Sequence, residues 1–168
     1  MKTKLRFDFL VDKEKKTMTI RREYDAKQQL VWDCHTKSEL LNQWFAPKPL
    51  TTKTKSMDFR EGGHWHYAMI DPGGQEYWGR MDYQTISPIA NYSAVSGFCD
   101  ASGTLNPDLP LAEWNVTFAE HGNLTLVETV VSYQSVEAIQ QVIDMGQKEG
   151  MTASLDSLHE LLLTLVKH

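Results

Sequence analysis

The sequence has few of the residues on which disulfides, zinc sites and membrane spans depend. Its only two cysteines, Cys34 and Cys99, lie in unrelated contexts and form no Cys-x-x-Cys pair, so free packed thiols are favoured over a disulfide. No stretch approaches the roughly 18 apolar residues of a membrane span, and the N-terminus lacks the apolar core of a signal peptide. These absences predict a cytoplasmic protein without a membrane partner.

Clustered positive charge is also scarce. The net charge is −5, and the densest basic run, residues 13–16, is short and interrupted by Glu14. Because the phosphates of nucleic acids need grouped lysines and arginines, this balance argues against a nucleic-acid partner. Two short helices predicted between residues 26 and 45 have the outline of a helix–turn–helix, but they carry no basic recognition face.

Length and composition fit one globular domain. The chain has 168 residues, of which 41% are hydrophobic and 23% charged, and both values are ordinary for a folded protein. A domain of this length buries about two-thirds of its unfolded surface. We therefore expect residues 1–168 to form a single domain.

The first third of the sequence predicts a hairpin followed by two short helices. Apolar residues alternate over 5–11, and the β-rich stretch 17–25 follows a lysine-rich turn. Asp25 is placed to cap a first helix, and the pattern Thr36–Glu39 fits a capping box for a second, SELLNQWF, which stops before Pro47.

Residues 50–133 have the period of two that is typical of strands. Residues 64–70 alternate aromatic and polar side chains, and the sequence DPGG (71–74) is typical of a turn. A further strand is expected at about 91–99 and a hairpin at 114–131. Strands joined by hairpins imply an antiparallel sheet.

The last third changes to a helical period. Apolar residues recur at spacings of three and four from Val136 to Leu165, which predicts one amphipathic helix of about thirty residues that Gly146 and Gly150 interrupt. The whole pattern predicts an α+β protein in which a curved antiparallel sheet wraps around a long C-terminal helix, with two short helices beside it. Such a geometry tends to leave an apolar cavity between helix and sheet.

The order of elements and four segments carry a family resemblance. The segments are REYDAKQQLVWDCHTKSELLNQWFAP, DFREGGHWHYAMIDPGGQEYWGR, VTFAEHGNLTL and GMTASLDSLHELL. Over about residues 17–166 the chain resembles the SRPBCC superfamily, the helix-grip fold of START domains and birch-pollen allergens, in the branch related to the activator of the heat-shock protein 90 ATPase. Met151 stands where many relatives have Trp. The resemblance implies the fold, and it leaves ligand binding, chaperone regulation and catalysis open.

A metal site and a catalytic site are both poorly supported by the residues. His64 and His66 share a strand face, which the alternation with Trp65 places toward solvent, but two ligands are too few for zinc. No metal or other cofactor is therefore expected. Glu128 shares a face with apolar residues, so either it is buried and able to act as a general acid or base, or that face is exposed and Glu128 is an ordinary solvated carboxylate, which is favoured.

The aromatic residues at regular spacing have two interpretations, plain core or the wall of a ligand pocket, and the resemblance favours the pocket. The candidate ligand-binding residues are Trp65, Tyr67, Met69, Met81 and Tyr83 on the strands, Trp44 beside the short helices, and Met151 and Leu155 on the C-terminal helix.

We therefore expect a protein that binds a small hydrophobic or aromatic molecule; whether it is also an enzyme is left open, with binding favoured over catalysis. Two alternatives stay open: a module that binds a chaperone or another protein through the apolar edge at Trp44, Phe45 and Pro47, and an enzyme that uses the cavity for cyclisation, dehydration or hydrolysis.

Overall fold

A computed structural model describes residues 5–166 of the chain. Within these residues, eight strands and four helices follow the predicted order, except that two helices stand where one C-terminal helix was predicted. The strands are β1 (Phe7–Asp12), β2 (Thr17–Tyr24), β3 (Thr51–Asp58), β4 (His64–Ile70), β5 (Glu76–Ser87), β6 (Asn91–Cys99), β7 (Ala112–His121) and β8 (Leu124–Ser132). The helices are α1 (Gln28–Thr36), α2 (Ser38–Leu41), α3 (Val136–Asp144) and α4 (Gln147–Val166).

All eight strands form one antiparallel sheet in the order β1-β2-β8-β7-β6-β5-β4-β3. The antiparallel sheet, the opening hairpin, the strand at 91–99 and the hairpin at 114–131 are thus confirmed. Register shifts interrupt β3 between Thr54 and Ser56 and β5 between Tyr83 and Thr85. Such irregularities bend a sheet and increase its twist, which helps this one to curve around the helices.

The C-terminal helix is present, but it is not continuous. It is split into α3, with 9 residues, and α4, with 20 residues. Gly146 lies between them with a φ of 88°, a left-handed conformation that glycine adopts without a Cβ clash. The apolar periodicity continues across this break, which is why the pattern alone predicted one helix.

The predicted helix starts are wrong in detail. Lys27, not Asp25, precedes α1, and no side chain caps that helix. Thr36 belongs to α1, where its hydroxyl donates to the Trp32 carbonyl at 3.0 Å, so it cannot form a capping box for α2. Helix α2 has only 4 residues. The Ser135 side chain does cap α3, because it accepts a hydrogen bond from the Ala138 amide.

The core lies between the concave face of the sheet and the helices. Leu158 and Leu162 of α4 are 0% and 2% exposed, as the predicted apolar stripe requires. They pack with the larger cluster of buried residues, near α1. A smaller cluster, which includes Ile20, Val131 and Ile139, lies beneath α3. The packing therefore fixes α4 across the sheet.

Candidate ligand-binding cavity

A cavity of about 330 Å³ lies between the concave face of the sheet and the helices α3 and α4. The exposed side chains of Tyr77 and Met145 are part of its lining, so the cavity opens to solvent. Strand residues at its wall include Ile20, Tyr67, Met69, Met81, Tyr92, Phe98, Ala112, Trp114 and Val116. Helix and loop residues include His35, Trp44, Phe45, Pro47, Tyr133, Val142, Met151 and Leu155.

The hairpin of β4 and β5 builds one wall through a close contact. A Cβ atom on Gly79 would lie 2.7 Å from the Tyr67 hydroxyl oxygen, so only glycine lets the Tyr67 ring lie flat over this part of β5. The Tyr67 ring stacks on Trp65 with centroids 4.1 Å apart, and Phe45 meets it edge-on at 5.3 Å. Gly79 therefore contributes to the shape of the cavity.

Six of the eight candidate ligand-binding residues line the cavity: Tyr67, Met69, Met81, Trp44, Met151 and Leu155. Trp65 and Tyr83 do not; they are 1% and 3% exposed and lie in the packed core. Trp65 is covered by Tyr67 and Phe45, and Tyr83 packs against Phe59 with ring centroids 4.7 Å apart. The strand alternation identifies the correct face of the sheet, but it does not say which positions on that face are covered.

Three functional candidates were missed by sequence reasoning: His35, Tyr92 and Tyr133. Tyr92 begins an alternating stretch in β6, so the period of two was a usable signal for it. Tyr133 follows β8 directly and is 7% exposed. A lone histidine in a short helix gives no such signal, because nothing in the sequence fixes which face of α1 meets the sheet.

His35 is a neutral hydrogen-bond acceptor at the cavity wall. Its Nδ1 lies 2.8 Å from the Val31 carbonyl oxygen, which can only accept, so Nδ1 carries the proton. Burial lowers the pKa of His35 to about 4. Within residues 5–166 the other ring nitrogen, Nε2, has no hydrogen-bond partner. The ring itself is held edge-on between Trp44 and Phe118, at centroid distances of 5.1 and 5.0 Å.

Three tyrosines also contribute to the polar part of the wall. In the part of the chain that the structure describes, the hydroxyls of Tyr67, Tyr92 and Tyr133 form no hydrogen bond. Burial raises the pKa of Tyr133 to about 12 and raises the pKa of Tyr67 and Tyr92 as well. All three are therefore uncharged donors near neutral pH.

Several other polar groups at the wall are satisfied by the protein. The Trp114 Nε1 donates to the Ser96 hydroxyl at 2.7 Å. The Ser154 hydroxyl donates to the Phe45 carbonyl at 2.7 Å, which ties α4 to the segment after α2. The Gln147 amide nitrogen lies 3.4 Å from the Met151 sulfur. None of the residues that line the cavity is Asp, Glu, Lys or Arg.

Each of the two histidines of β4 has a polar partner. The His64 Nε2 lies 2.9 Å from the Ser56 hydroxyl, and the His66 Nε2 lies 3.1 Å from the Asp100 carbonyl. His66 is 7% exposed, so its predicted position at the solvent surface is wrong: the loop from Asp100 covers this part of the outer face of the sheet. Among residues 5–166, no three His, Cys, Asp or Glu side chains lie close enough together to hold a metal ion.

Glu128 lies on the outer face of the sheet. It forms an ion pair with Arg21 at 2.7 Å, and its side chain is 38% exposed. The solvated interpretation of Glu128 is therefore confirmed, and its neighbours Leu126 and Val130 share that outer face. On the same face, Arg80 pairs with Asp82 at 2.6 Å. Cys34 and Cys99 are both free, and burial raises the pKa of the Cys34 thiol to about 12.

Comparison with known proteins identifies the family. The sequence model described as "Activator of Hsp90 ATPase homolog 1-like protein" matches residues 25–163. The chain belongs to this family. The family and the fold together support the predicted SRPBCC relationship and a domain of the ligand-binding kind. A comparison with curated proteins gives no match.

Solved structures of similar proteins agree with this fold. The crystal structure of protein Ms6760 from Mycobacterium smegmatis is 30% identical, covers 95% of this chain and 97% of its own, and has a TM-score of 0.86. An NMR structure from Arthrobacter aurescens is 24% identical over 94% of this chain and 91% of its own, with a TM-score of 0.89. CalU16 from Micromonospora echinospora is 21% identical over 96% of this chain and 77% of its own, with a TM-score of 0.63.

Proposed function

We propose that this protein binds a small hydrophobic or aromatic molecule in the cavity between the sheet and the helices α3 and α4. The observation that carries the proposal is an open cavity of about 330 Å³ whose wall consists largely of aromatic and aliphatic side chains. Ligand sites in proteins are typically concave, mostly apolar and about 300–1,000 Å³ in volume. The family, whose fold is of the ligand-binding kind, supports the same function.

The size of the cavity limits the size of the ligand. An apolar cavity of about 150 Å³ is known to hold benzene, so a volume of 330 Å³ suits a molecule of about two rings. Water hydrates such a wall poorly, and an apolar ligand gains dispersion contacts with it when it enters. We expect dissociation constants in the micromolar range, which correspond to about −8 kcal/mol.

Neither alternative function has a specific observation in its favour. Trp44 is 4% exposed and donates its Nε1 proton to the Cys34 carbonyl at 2.8 Å, so it does not present a free surface to a chaperone. For catalysis, the lining residues contain no carboxylate that could act as a general acid or base. Chaperone regulation and catalysis stay predictions, as does the cytoplasmic location. No helix within residues 5–166 is long and apolar enough to cross a membrane.

The proposal is tested by filling the cavity. Met151→Trp adds volume at a position that lines the cavity, and Leu163→Trp adds a similar volume on the same helix at a side chain that is 42% exposed. A panel of neutral two-ring aromatic compounds is screened by thermal shift, because a ligand that binds only the native state raises the melting temperature.

The expected result is that several compounds stabilise the wild-type protein and the Leu163→Trp variant but not Met151→Trp. Native mass spectrometry of the purified protein gives a second readout, a retained molecule with the mass of a small organic compound. If no compound shifts the melting temperature of the wild type and no molecule is retained, the proposed function is wrong.

A further inference from the structure

The polar groups of the cavity wall restrict the chemistry of the ligand further than its apolar lining does. Resting on the proposed binding function, we infer that the ligand is an uncharged molecule of about two rings that carries a hydroxyl or carbonyl group, which pairs with His35 or with the tyrosine hydroxyls of the wall. The inference depends on two observations: the lining has no charged side chain, and it includes the Nε2 of His35 and three tyrosine hydroxyls, which form no hydrogen bond within residues 5–166.

The first observation disfavours ions. The lining residues include no Lys or Arg to pair with an anion and no Asp or Glu to pair with a cation. His35 cannot supply a positive charge near neutral pH, because burial lowers its pKa to about 4. A charge that leaves water without a counterion loses its hydration and gains little in return. A compact ion of the same shape as a neutral ligand should therefore bind far more weakly.

The second observation favours a polar group on the ligand. The His35 ring donates through Nδ1 to the Val31 carbonyl, which leaves Nε2 as an acceptor. The hydroxyls of Tyr67, Tyr92 and Tyr133 are donors. These four residues therefore offer one acceptor and three donors. A ligand hydroxyl can donate to His35 or accept from a tyrosine, whereas a carbonyl can only accept from a tyrosine.

Several polar groups nearby do not compete for this role. The Trp114 indole and the Ser96 hydroxyl pair with each other at 2.7 Å, and Ser154 donates to the Phe45 carbonyl. His35 and the three tyrosines stay able to pair with a ligand, as do the Thr129 hydroxyl and the Trp78 indole, which also line the cavity. When a bound ligand displaces water from these groups, a hydrogen bond that the ligand does not replace weakens binding, which is how such groups give selectivity.

Four compounds of one skeleton test the inference: 2-methylnaphthalene, 2-naphthol, 2-naphthoate and protonated 2-naphthylmethylamine. Dissociation constants are measured for the wild-type protein at pH 7 by isothermal titration calorimetry. We expect 2-naphthol to bind at least as tightly as 2-methylnaphthalene, although its hydroxyl group loses more hydration on binding than a methyl group does. We expect both ions to bind at least about 100-fold more weakly than 2-naphthol. The inference is overturned if 2-naphthol binds more weakly than 2-methylnaphthalene. It is also overturned if the dissociation constant of either ion is less than about 100-fold higher than that of 2-naphthol.

Variants identify the partner groups. His35→Phe, Tyr67→Phe, Tyr92→Phe and Tyr133→Phe each remove one polar group and keep an aromatic ring. At least one of them should reduce the affinity for 2-naphthol by about 3- to 10-fold while the affinity for 2-methylnaphthalene changes less than about twofold. The three tyrosine variants keep the test valid if His35→Phe does not fold. If the ratio of the two affinities is unchanged in every folded variant, the inference is wrong.

The outcomes separate the inference from the proposed function. If none of the four compounds binds, the binding function itself is overturned and the inference falls with it. If the ions bind as well as the neutral compounds, or if the polar group makes no difference, the binding function stands and the inference alone is overturned.

Discussion

The two ends of the concave face differ in packing although they share one sheet and one helix, α4. Near α1, the rings of Trp32, Phe59, Tyr83 and Phe118 meet edge-on at centroid distances that include 4.7 and 5.1 Å, and Leu158 is fully buried against this cluster. Near α3, the sheet presents the small residues Gly79, Ser96 and Ala112, and the cavity lies above them. Small side chains on the strands therefore mark the cavity end, whereas large interlocking rings fill the packed end.

The largest expected effect concerns the packed end. Leu158→Ala removes a side chain with 0% exposure, and we expect it to lower the free energy of unfolding by about 2–5 kcal/mol. Leu163→Ala, on the same helix but 42% exposed, should change it by less than about 0.5 kcal/mol. Urea denaturation of both variants measures the difference. Equal effects would mean that α4 does not pack through its apolar stripe.

His35 lies between the two ends and gives folding a pH dependence. Its pKa of about 4 in the folded protein is below the usual value of 6.5, so between these values the unfolded chain binds a proton that the folded chain does not. Stability should therefore be constant above about pH 6.5 and fall as the pH drops toward 4, by about 3 kcal/mol, since one pKa unit corresponds to about 1.4 kcal/mol.

Comparison with variants isolates this contribution of His35. His35→Phe should remove that part of the acid sensitivity, whereas His121→Gln, at the exposed end of β7, should leave it in place. Thermal unfolding measured between pH 4 and pH 8 tests both variants. If His35→Phe loses as much stability on acidification as the wild type, His35 is not buried in the neutral form.

Replacing a small residue of the cavity end by a larger one should destabilise the protein where a neighbouring side chain is close. Gly79→Ala places a Cβ 2.7 Å from the Tyr67 hydroxyl oxygen, so the Tyr67 ring must move, at a cost of about 1–3 kcal/mol. Gly73→Ala, in the exposed turn of the same hairpin, meets nothing closer than 3.4 Å and should cost less than about 0.5 kcal/mol. Chemical denaturation and near-ultraviolet circular dichroism of the tyrosines report the change. Wild-type spectra for Gly79→Ala would show that the close contact does not exist.

The smallest effect is expected for the unpaired hydroxyls. Tyr92→Phe and Tyr133→Phe remove groups that have no partner within residues 5–166, so stability should change by less than about 0.5 kcal/mol. Ser96→Ala is the contrasting variant, because it leaves the Trp114 Nε1 without its acceptor and should cost about 1–3 kcal/mol. A large loss in either tyrosine variant would indicate a hydrogen bond inside the protein.

The sequence predicts the architecture well because hydrophobic periodicity depends on local geometry. The alternation of β4 and the stripe through Leu158 and Leu162 identify the faces that meet. The same periodicity cannot detect the break at Gly146, because a left-handed residue shifts the direction of the chain without interrupting the apolar pattern.

The site was predictable only in part, for a similar reason. Period-two reasoning placed Trp65 and Tyr67 on the inner face together, but only packing decides that Phe45 covers the first and the cavity meets the second. Whether His35 faces the sheet or solvent depends on the rotation of α1, which is fixed by tertiary contacts with Trp44 and Phe118. The loop that covers His66 begins at Asp100, thirty-four residues later in the chain, and no local sequence pattern can predict such a contact.

The break at Gly146 separates two roles of the C-terminal region, packing in the core and lining the cavity. Leu158 and Leu162 anchor α4 in the core, while Met145, Gly146 and Met151, at and around the break, line the cavity. Substitutions around the break can therefore alter the volume and the entrance of the cavity without removing the anchor. For the evolution of such a protein, this means that preference for one ligand over another can change by a few substitutions at Met145 and Met151 that leave Leu158 and Leu162 in place.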